Sequence, residues 1–322
     1  MSKEQREQLD QIMRNGPLDI GGDPIEQRAL FVQMLTSRPL SEDVETSEGT
    51  LGEIPILTIT VKGAATDNVL LWFHGGWYVM GSPRTSAGLS SDVARRSGAR
   101  VLSVDYRLAP EHPYPAALED AQTAYRSLLE SGVDPARVAF VGESAGAGLA
   151  TATMASLHEL DLPQPSCAVL LSPWSDLTLS GASMQDKVGI DPSFVPEKVQ
   201  VRAKDHVASA DPADPADPGI SPLFASLKGL PPILIQGGSN EILLDDSTRL
   251  AARAAADDVA VILDVTPGVP HLFQAFAAIV EEGDLALGRV ANFLSVHLGA
   301  PSLPETSTRR LPTCKSGESA DE

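Results

Sequence analysis

Residues 142–146 read Gly-Glu-Ser-Ala-Gly, and the residues on either side of this stretch decide the fold. The apolar run Val-Ala-Phe-Val at 138–141 is typical of a β-strand, whereas the small residues at 147–155 suit a helix. Glycine at both ends of the stretch permits a turn so sharp that a Cβ there would clash with the adjoining strand and helix. The pattern therefore predicts a strand–turn–helix unit that projects the hydroxyl of Ser144 from the sheet as a nucleophile.

A second glycine motif follows another predicted strand. The apolar run at 69–73 leads directly into His-Gly-Gly-Trp at 74–77, where the glycines allow the backbone to fold back with exposed N–H groups. Such N–H groups can bind the oxygen that becomes negative when an acyl carbonyl is attacked. We therefore predict that the N–H groups of Gly75, Gly76 and Ala145 form an oxyanion hole beside the nucleophile.

Apolar runs of strand length alternate with helix-length segments along most of the chain. This alternation is typical of a mostly parallel, doubly wound α/β sheet. Two helices precede it, one ending near Asn15 and one at about 23–37, and the first strand candidates lie at 53–61. The predicted strands that follow are 69–73, 100–105, 137–141, 166–172, 232–236 and 259–265, and the predicted helices are 85–97, 115–131, 145–158, 245–257 and 273–298.

Four motifs together resemble the hormone-sensitive-lipase family of α/β-hydrolases, in its bacterial esterase branch. The resemblance extends from about residue 10 to residue 298, and the motifs follow the family's order and spacing. It implies an α/β-hydrolase fold with a helical cap and a metal-independent ester hydrolase that needs no cofactor. Two departures are Trp77, where the family has a third glycine, and a glutamate in place of the usual catalytic aspartate. The motifs are His-Gly-Gly at 74–76, Asp-Tyr-Arg-Leu-Ala-Pro-Glu at 105–111, the 142–146 stretch and Ser-Pro-Trp-Ser-Asp-Leu at 172–177.

The resemblance implies a catalytic triad in the chain order serine, acid, histidine. Among the six histidines, only His271 follows a predicted strand and a loop, at 266–270, before an amphipathic segment. A general base must be held at the carboxyl end of a strand, where Ser144 also points. We therefore predict that His271 is the base. The other histidines lie in the glycine motif, a proline-flanked loop, the end of a helix, the irregular segment and the last helix: His74, His112, His158, His206 and His297.

The family places the acid just after the strand at 232–236, with a leucine two positions later and acidic residues four and five positions later. Glu241 fits this register, whereas Asn240 cannot carry the charge that stabilises an imidazolium. Asp245 and Asp246 are the alternatives, but acidic residues there also suit the start of the next helix, as caps or solvated groups. We therefore predict that Glu241 is the acid.

Breaks in this pattern divide the chain into segments. Residues 1–50 form an N-terminal helical segment, which the family uses as part of a cap over the active site. The hydrolase core comprises residues 51–173 and 222–300. Between them, residues 174–221 carry three Asp-Pro steps that restrict the backbone to extended or turn geometry, and we interpret this insertion as a second cap segment rather than a surface linker. Residues 301–322 are rich in proline, serine and threonine and predict a disordered tail.

Aromatic residues near these motifs are candidates for the substrate-binding pocket. Trp77 follows the predicted oxyanion hole, and Phe194 lies in the insertion. Tyr106 is a third candidate, with a buried supporting position behind the pocket as its alternative. Glu143, beside the nucleophile, is expected to anchor the turn by hydrogen bonds rather than to take part in the chemistry.

Composition limits the possible partners and location. The 24 basic and 43 acidic residues give a net charge of -19, which disfavours nucleic acids and anionic membranes as partners. No apolar run approaches the roughly 18 residues that a membrane span needs. The charged N-terminus has no signal-peptide pattern, and Cys167 and Cys314 lie in no disulfide or metal-binding pattern. We therefore expect a cytoplasmic monomer or homodimer without metal or cofactor, whose partner is a small-molecule ester.

These motifs favour a serine carboxylesterase that forms an acyl-enzyme. The predicted cap and aromatic pocket favour a short or compact hydrophobic acyl group over a long one. An internal ester, such as a monoterpene-type ε-lactone, is an alternative substrate within the same chemistry. An alternative of another class is a non-catalytic homologue that binds a small molecule, although such receptors typically lose the base that His271 provides here.

Overall fold

The computed structural model describes residues 3–64, 67–208 and 214–298 of the chain. The predicted tail at 301–322 lies outside these residues. The strands are β1 (Val44–Leu51), β2 (Ile54–Val61), β3 (Val69–Phe73), β4 (Arg100–Val104), β5 (Val138–Glu143), β6 (Cys167–Leu171), β7 (Ile233–Gly238) and β8 (Val261–Thr266). The helices are α1 (Lys3–Arg14), α2 (Pro24–Leu35), α3 (Ala87–Ser97), α4 (Ala116–Glu130), α5 (Ala145–Ser156), α6 (Ser183–Asp186), α7 (Pro196–Val207), α8 (Leu244–Ala256) and α9 (Glu281–His297).

The strands form one 8-stranded sheet in the order β1-β2-β4-β3-β5-β6-β7-β8. β1 and β2 are antiparallel to each other, and β2 is antiparallel to β4. All other neighbours are parallel, so the carboxyl ends of β3, β5, β6, β7 and β8 meet at one edge. The predicted mostly parallel, doubly wound sheet is confirmed.

Helices cover both faces of the sheet, because its central strands are apolar on both sides. In β3, Leu71 and Phe73 face the core under α4, α5 and α8, whereas Leu70 and Trp72 face the core under α3 and α9. Strands β3, β5 and β6 are buried along their whole length. Because helices pack on both faces of the sheet, the carboxyl ends of its central strands, where the candidate site lies, are held in place.

The structure corrects two of the predicted elements. β1 lies within the segment predicted to be helical. It is largely exposed and polar, so its sequence lacks the apolar alternation that predicts a strand. It is held by its register with β2, in which Val44 pairs with Val61. The predicted helix 273–298 begins only at Glu281, where the acidic first turn suits a helix N-terminus, and residues Phe273–Phe276 form a separate 3-10 turn.

The N-terminal helices and the insertion contact each other. Arg14 Nη2 donates to the backbone oxygens of Gly189 and Ile190, and Lys198 Nζ lies 2.9 Å from Asp19 Oδ1. The insertion contains α6 and α7, which the sequence pattern did not predict. The part of the Asp-Pro-rich stretch at 209–213 lies outside the described residues. Within the described ranges, no helix has the length and apolarity needed to cross a bilayer.

Candidate active site

Ser144 occupies the sharp turn between β5 and α5, as the sequence predicts. Its φ of 54° lies in the left-handed region, which is costly for a residue with a side chain. Glycines on both sides permit the turn, because a Cβ at Gly146 would lie 2.0 Å from the oxygen of Phe73, and one at Gly142 would lie 2.4 Å from the oxygen of Gly146. The N–H of Ser144 donates to the oxygen of Leu171 at 2.8 Å, which fixes the turn on β6.

His271 and Glu241 form a buried pair at the carboxyl ends of β7 and β8. His271 Nδ1 lies 2.8 Å from Glu241 Oε2, and both side chains are at least 96% buried, with 4% and 1% exposed. A proton on Nδ1 directed at the carboxylate leaves Nε2 as the nitrogen that can accept a proton. The structure therefore brings together the two side chains predicted to be base and acid.

The other oxygen of Glu241 is held by the protein. Oε1 accepts a hydrogen bond from Ser172 Oγ at 2.8 Å and another from the N–H of Gly238. Ser172 Oγ in turn accepts the N–H of Leu272 at 3.2 Å. Sequence reasoning missed this role of Ser172, although the residue opens the quoted 172–177 motif.

The two alternative acids point elsewhere. Asp245 Oδ2 accepts the N–H of Ser183, and thus caps α6. Asp246 is buried and accepts the N–H groups of Ser175 and Asp176 through Oδ2. The expectation that Asp246 is solvated is therefore wrong; burial raises its pKa to about 8.

Ser144 is linked to the pair through the end of β6. Leu171, whose oxygen accepts the Ser144 N–H, immediately precedes Ser172, which holds Glu241. Among the described residues, no hydrogen bond joins Ser144 Oγ to His271. Catalytic hydrogen bonds in free enzymes are often formed only when substrate binds.

The predicted oxyanion loop lies against Ser144. A Cβ at Gly75 would lie 3.4 Å from the Cβ of Ser144, and Gly76 has a φ of 123°. A Cβ at Gly76 would lie 2.0 Å from the oxygen of Met80. Trp77 also has a positive φ, 61°, at the position where the family has glycine.

The backbone N–H groups of this loop differ in their partners. Burial raises the pKa of the Glu143 carboxylate, and the backbone of Gly75, which lies beside this side chain, lowers it. Within the part of the chain that the structure describes, the N–H groups of Gly76, Trp77 and Ala145 have no hydrogen-bond acceptor.

His74 and Tyr106 support the loop from behind. The Tyr106 hydroxyl donates to the oxygen of His74 at 2.7 Å, and the two rings stack at 4.1 Å. His74 Nδ1 lies 2.8 Å from the oxygen of Gly75, and burial lowers the pKa of His74 to about 4. A neutral His74 thus donates to the loop. Glu143 anchors the turn, as expected, through Ser86 Oγ and Trp72 Nε1.

Aromatic rings surround the imidazole of His271. The Trp77 ring stacks at 6.2 Å from it, and the Phe194 ring contacts it edge-on at 4.9 Å. Trp77 also packs edge-on against Phe194 at 4.7 Å and against Trp174 at 5.0 Å. The N–H of Trp174 donates to the oxygen of Ser144 at 3.0 Å. Trp77 and Phe194 thus lie beside the predicted base, whereas Trp174 was not predicted.

The insertion also packs on the oxyanion loop through His206. The ring of His206, in α7, stacks on Tyr78 at 3.9 Å. The oxygen of His206 also accepts the N–H of Tyr114 at 2.8 Å. Burial lowers the pKa of His206 to about 3, so this residue is neutral near pH 7. In the described residues, no group of three or more His, Cys, Asp or Glu side chains has the geometry of a metal site.

The chain as a whole is similar to known ester hydrolases. A family profile described as the alpha/beta hydrolase fold matches residues 70–275. The chain is 40% identical over 240 residues to an acetyl-hydrolase from Streptomyces hygroscopicus, which covers 74% of this chain and 79% of the relative. It is 34% identical over 235 residues to an ethyl acetate hydrolase from Pseudomonas putida, with 71% and 73% covered.

Solved structures of esterases are also similar to this chain. An esterase of the bacterial hormone-sensitive lipase family superposes with a TM-score of 0.88 at 39% identity, covering 93% of this chain and 100% of that one. The esterase EstE5, soaked with p-nitrophenyl butyrate, superposes with a TM-score of 0.86 at 34% identity, again covering 93% and 100%. The similarity thus extends beyond the core to the N-terminal segment and the insertion.

Proposed function

Since this chain belongs to the α/β-hydrolase family, in its bacterial hormone-sensitive-lipase branch, and is a carboxylic-ester hydrolase, we propose that it cleaves short acyl esters through Ser144, His271 and Glu241. The observation that carries this assignment is the buried 2.8 Å contact between His271 Nδ1 and Glu241 Oε2. It orients one imidazole nitrogen at the sheet edge from which Ser144 projects. A serine, an oriented base and a buried carboxylate make up a nucleophilic triad.

The reaction proceeds in two halves. His271 Nε2 takes the proton of Ser144 Oγ as this oxygen attacks the acyl carbonyl, and Glu241 stabilises the imidazolium that forms. Collapse of the tetrahedral intermediate breaks the bond to the alcohol, which leaves with the proton from His271. Water then attacks the acyl-enzyme with the same base, so that the acid is released and Ser144 is regenerated.

Backbone donors stabilise the negative oxygen in both halves. Of the predicted donors Gly75, Gly76 and Ala145, we assign the main contribution to Gly76 and Ala145, whose N–H groups are without acceptors in the described residues. Gly75 lies beside the Glu143 side chain, whose pKa its backbone lowers. One such donor typically contributes 10²- to 10³-fold in kcat.

The substrate is an ester with a short or compact acyl group. Trp77 packs edge-on against Trp174 and Phe194, and both Trp77 and Phe194 contact His271, so that bulky rings crowd the base. Two relatives are named for acetyl ester hydrolysis, which supports the same choice. On p-nitrophenyl esters from acetate to laurate, we expect kcat/KM to be highest for acetate or butyrate and to fall with longer chains.

The nucleophile is tested by labelling and by substitution. A fluorophosphonate should modify the wild-type protein at Ser144 and leave Ser144→Ala unlabelled. The same variant should remain folded and lose roughly 10⁶-fold in kcat. A Ser144→Ala protein that keeps more than about a hundredth of the activity would exclude this assignment, and a wild-type protein that is neither labelled nor active would indicate a binding protein.

A further inference from the structure

Asp191 is a buried carboxylate that links the insertion to the loop bearing Glu241. It lies between α6 and α7 and is 4% exposed. Its Oδ1 accepts the N–H groups of Ser193 at 2.8 Å and Phe194 at 3.0 Å. Its Oδ2 accepts the N–H of Ile242, in the core, at 2.9 Å.

Each of the two segments that Asp191 binds includes or adjoins a residue that contacts the imidazole of His271. Phe194, whose N–H bonds to Oδ1, places its ring 4.9 Å from the ring of His271. Ile242, whose N–H bonds to Oδ2, directly follows Glu241, and the carboxylate of Glu241 lies 2.8 Å from His271 Nδ1. The positions of these two contacts to the imidazole therefore depend on one side chain of the insertion.

A second contact from the insertion reaches the same residue. Ser183 Oγ donates to the oxygen of Ile242 at 2.7 Å and accepts the N–H of Asp245 at 3.0 Å. Both polar backbone groups of the fully buried Ile242 are therefore satisfied by side chains of the insertion. Loss of either partner would leave a buried backbone group unpaired, which is costly.

We propose that Asp191 is a positioning residue that fixes Glu241 and Phe194 around His271 and so makes the insertion a structural part of the triad. This inference rests on the proposed function of the triad. The insertion then contributes to turnover directly, in addition to covering the pocket.

A carboxylate is the side chain that this arrangement requires. Burial raises the pKa of Asp191, whereas the three backbone N–H groups that converge on its two oxygens favour the ionised form. An asparagine could keep the two bonds to Ser193 and Phe194, but its amide nitrogen cannot accept the N–H of Ile242. Asp191→Asn therefore removes the link to the acid while it preserves the turn that carries Phe194.

We expect Asp191→Asn to lower kcat for p-nitrophenyl acetate by roughly 10- to 100-fold, the scale of a displacement near 1 Å. KM should change less than kcat, because the pocket wall at Phe194 is retained. The charged groups near His271 are Glu241 in contact, with Asp191 and Glu143 farther away. The acidic limb of kcat/KM should move to lower pH, since a poorer carboxylate contact and a lost charge both disfavour the imidazolium.

Asp214→Asn is the matched control. Asp214 is an exposed residue of the same insertion whose Oδ1 accepts the N–H of Ala216 at 2.9 Å, without contact to the acid loop. Its kcat and pH profile should equal those of the wild type. A purely structural role of Asp191 would lower the Tm of Asp191→Asn without moving the acidic limb for the folded fraction, and that result would overturn the proposal.

The rate at which diisopropyl fluorophosphate modifies Ser144 provides an independent measurement. This rate depends on the base and little on the ester pocket, so it should fall with kcat in Asp191→Asn. If Asp191→Asn fails to fold, Ser183→Ala loosens the same Ile242 and should lower both rates severalfold. Wild-type rates in either folded variant overturn the positioning role alone, because labelling of the wild-type Ser144 still supports the proposed function. An unlabelled, inactive wild-type protein overturns both.

Discussion

Ser172 Oγ lies 2.8 Å from Glu241 Oε1, at the carboxyl end of β6. The same hydroxyl oxygen accepts the N–H of Leu272, the residue after His271. One hydroxyl therefore joins the loop of the acid to the loop of the base. The proton that it donates can go to only one acceptor, and Glu241 Oε1 receives it.

Ser172→Ala should therefore reduce turnover without removing any member of the triad. We expect kcat to fall roughly 10-fold, less than the 10²-fold of a 1 Å displacement, because the N–H of Gly238 still holds Oε1. Steady-state kinetics on p-nitrophenyl acetate provide the measurement. Ser131→Ala, at the end of α4, is a control that removes a hydroxyl far from the site. Equal kcat in both variants would contradict the bridging role.

The identity of the acid is tested by charge and by length. Glu241→Gln keeps the size of the side chain but removes the charge that stabilises the His271 imidazolium, so kcat should fall by up to about 10⁴-fold. Glu241→Asp keeps the charge but withdraws it by about one bond length, and should lie between wild type and Gln. Asp245→Asn should stay within severalfold of the wild type, since Asp245 caps α6 instead. A large loss of kcat in Asp245→Asn together with a small loss in Glu241→Gln would identify Asp245 as the acid.

Gly76→Ala tests the oxyanion loop. The φ of 123° and the 2.0 Å approach to the oxygen of Met80 leave no room for a Cβ, so the loop must shift and its N–H groups with it. We expect a loss of about 10²-fold or more in kcat, with a smaller change in KM. Gly88→Ala is the control, because a Cβ there meets nothing within 4 Å and lies in α3. A folded Gly76→Ala with wild-type kcat would show that the loop is only structural.

The buried His206 predicts how stability depends on pH. Burial in the folded protein lowers the pKa of His206 to about 3, from the 6.5 that is usual for histidine. At pH values between the two, the unfolded chain binds a proton that the folded protein excludes, so stability falls as pH decreases from 6.5. His206→Phe keeps a ring against Tyr78 but does not titrate. Its Tm should therefore fall less steeply than that of the wild type between about pH 6.5 and 4.

His158 provides the control for this measurement. It is exposed, so His158→Gln should retain the wild-type dependence of Tm on pH. His74 keeps its own contribution in all of these proteins, because burial lowers its pKa to about 4 as well. Identical slopes for His206→Phe and the wild type would mean that His206 is not kept neutral by the fold.

Local signals were sufficient for the fold and for much of the site. The strand–turn–helix at Ser144 follows from two glycines and their flanks, whereas Glu241 was predicted from the register that the resembled family has after β7. Asp191 and Ser172 could not be assigned in this way, because their partners lie 51 and 69 residues away in the chain. β1 was missed for a related reason, since pairing with β2 rather than its own pattern makes it a strand.

The stacking of His206 on Tyr78 has a consequence for bulky esters. Tyr78 follows Trp77 in the proposed oxyanion loop, and α7 contacts that loop through the imidazole ring of His206. An ester large enough to displace α7 would also break the stacking of His206 on Tyr78, which supports the loop. We therefore expect oversized substrates to bind and to be turned over slowly, so that discrimination between acyl groups is expressed in kcat rather than in affinity.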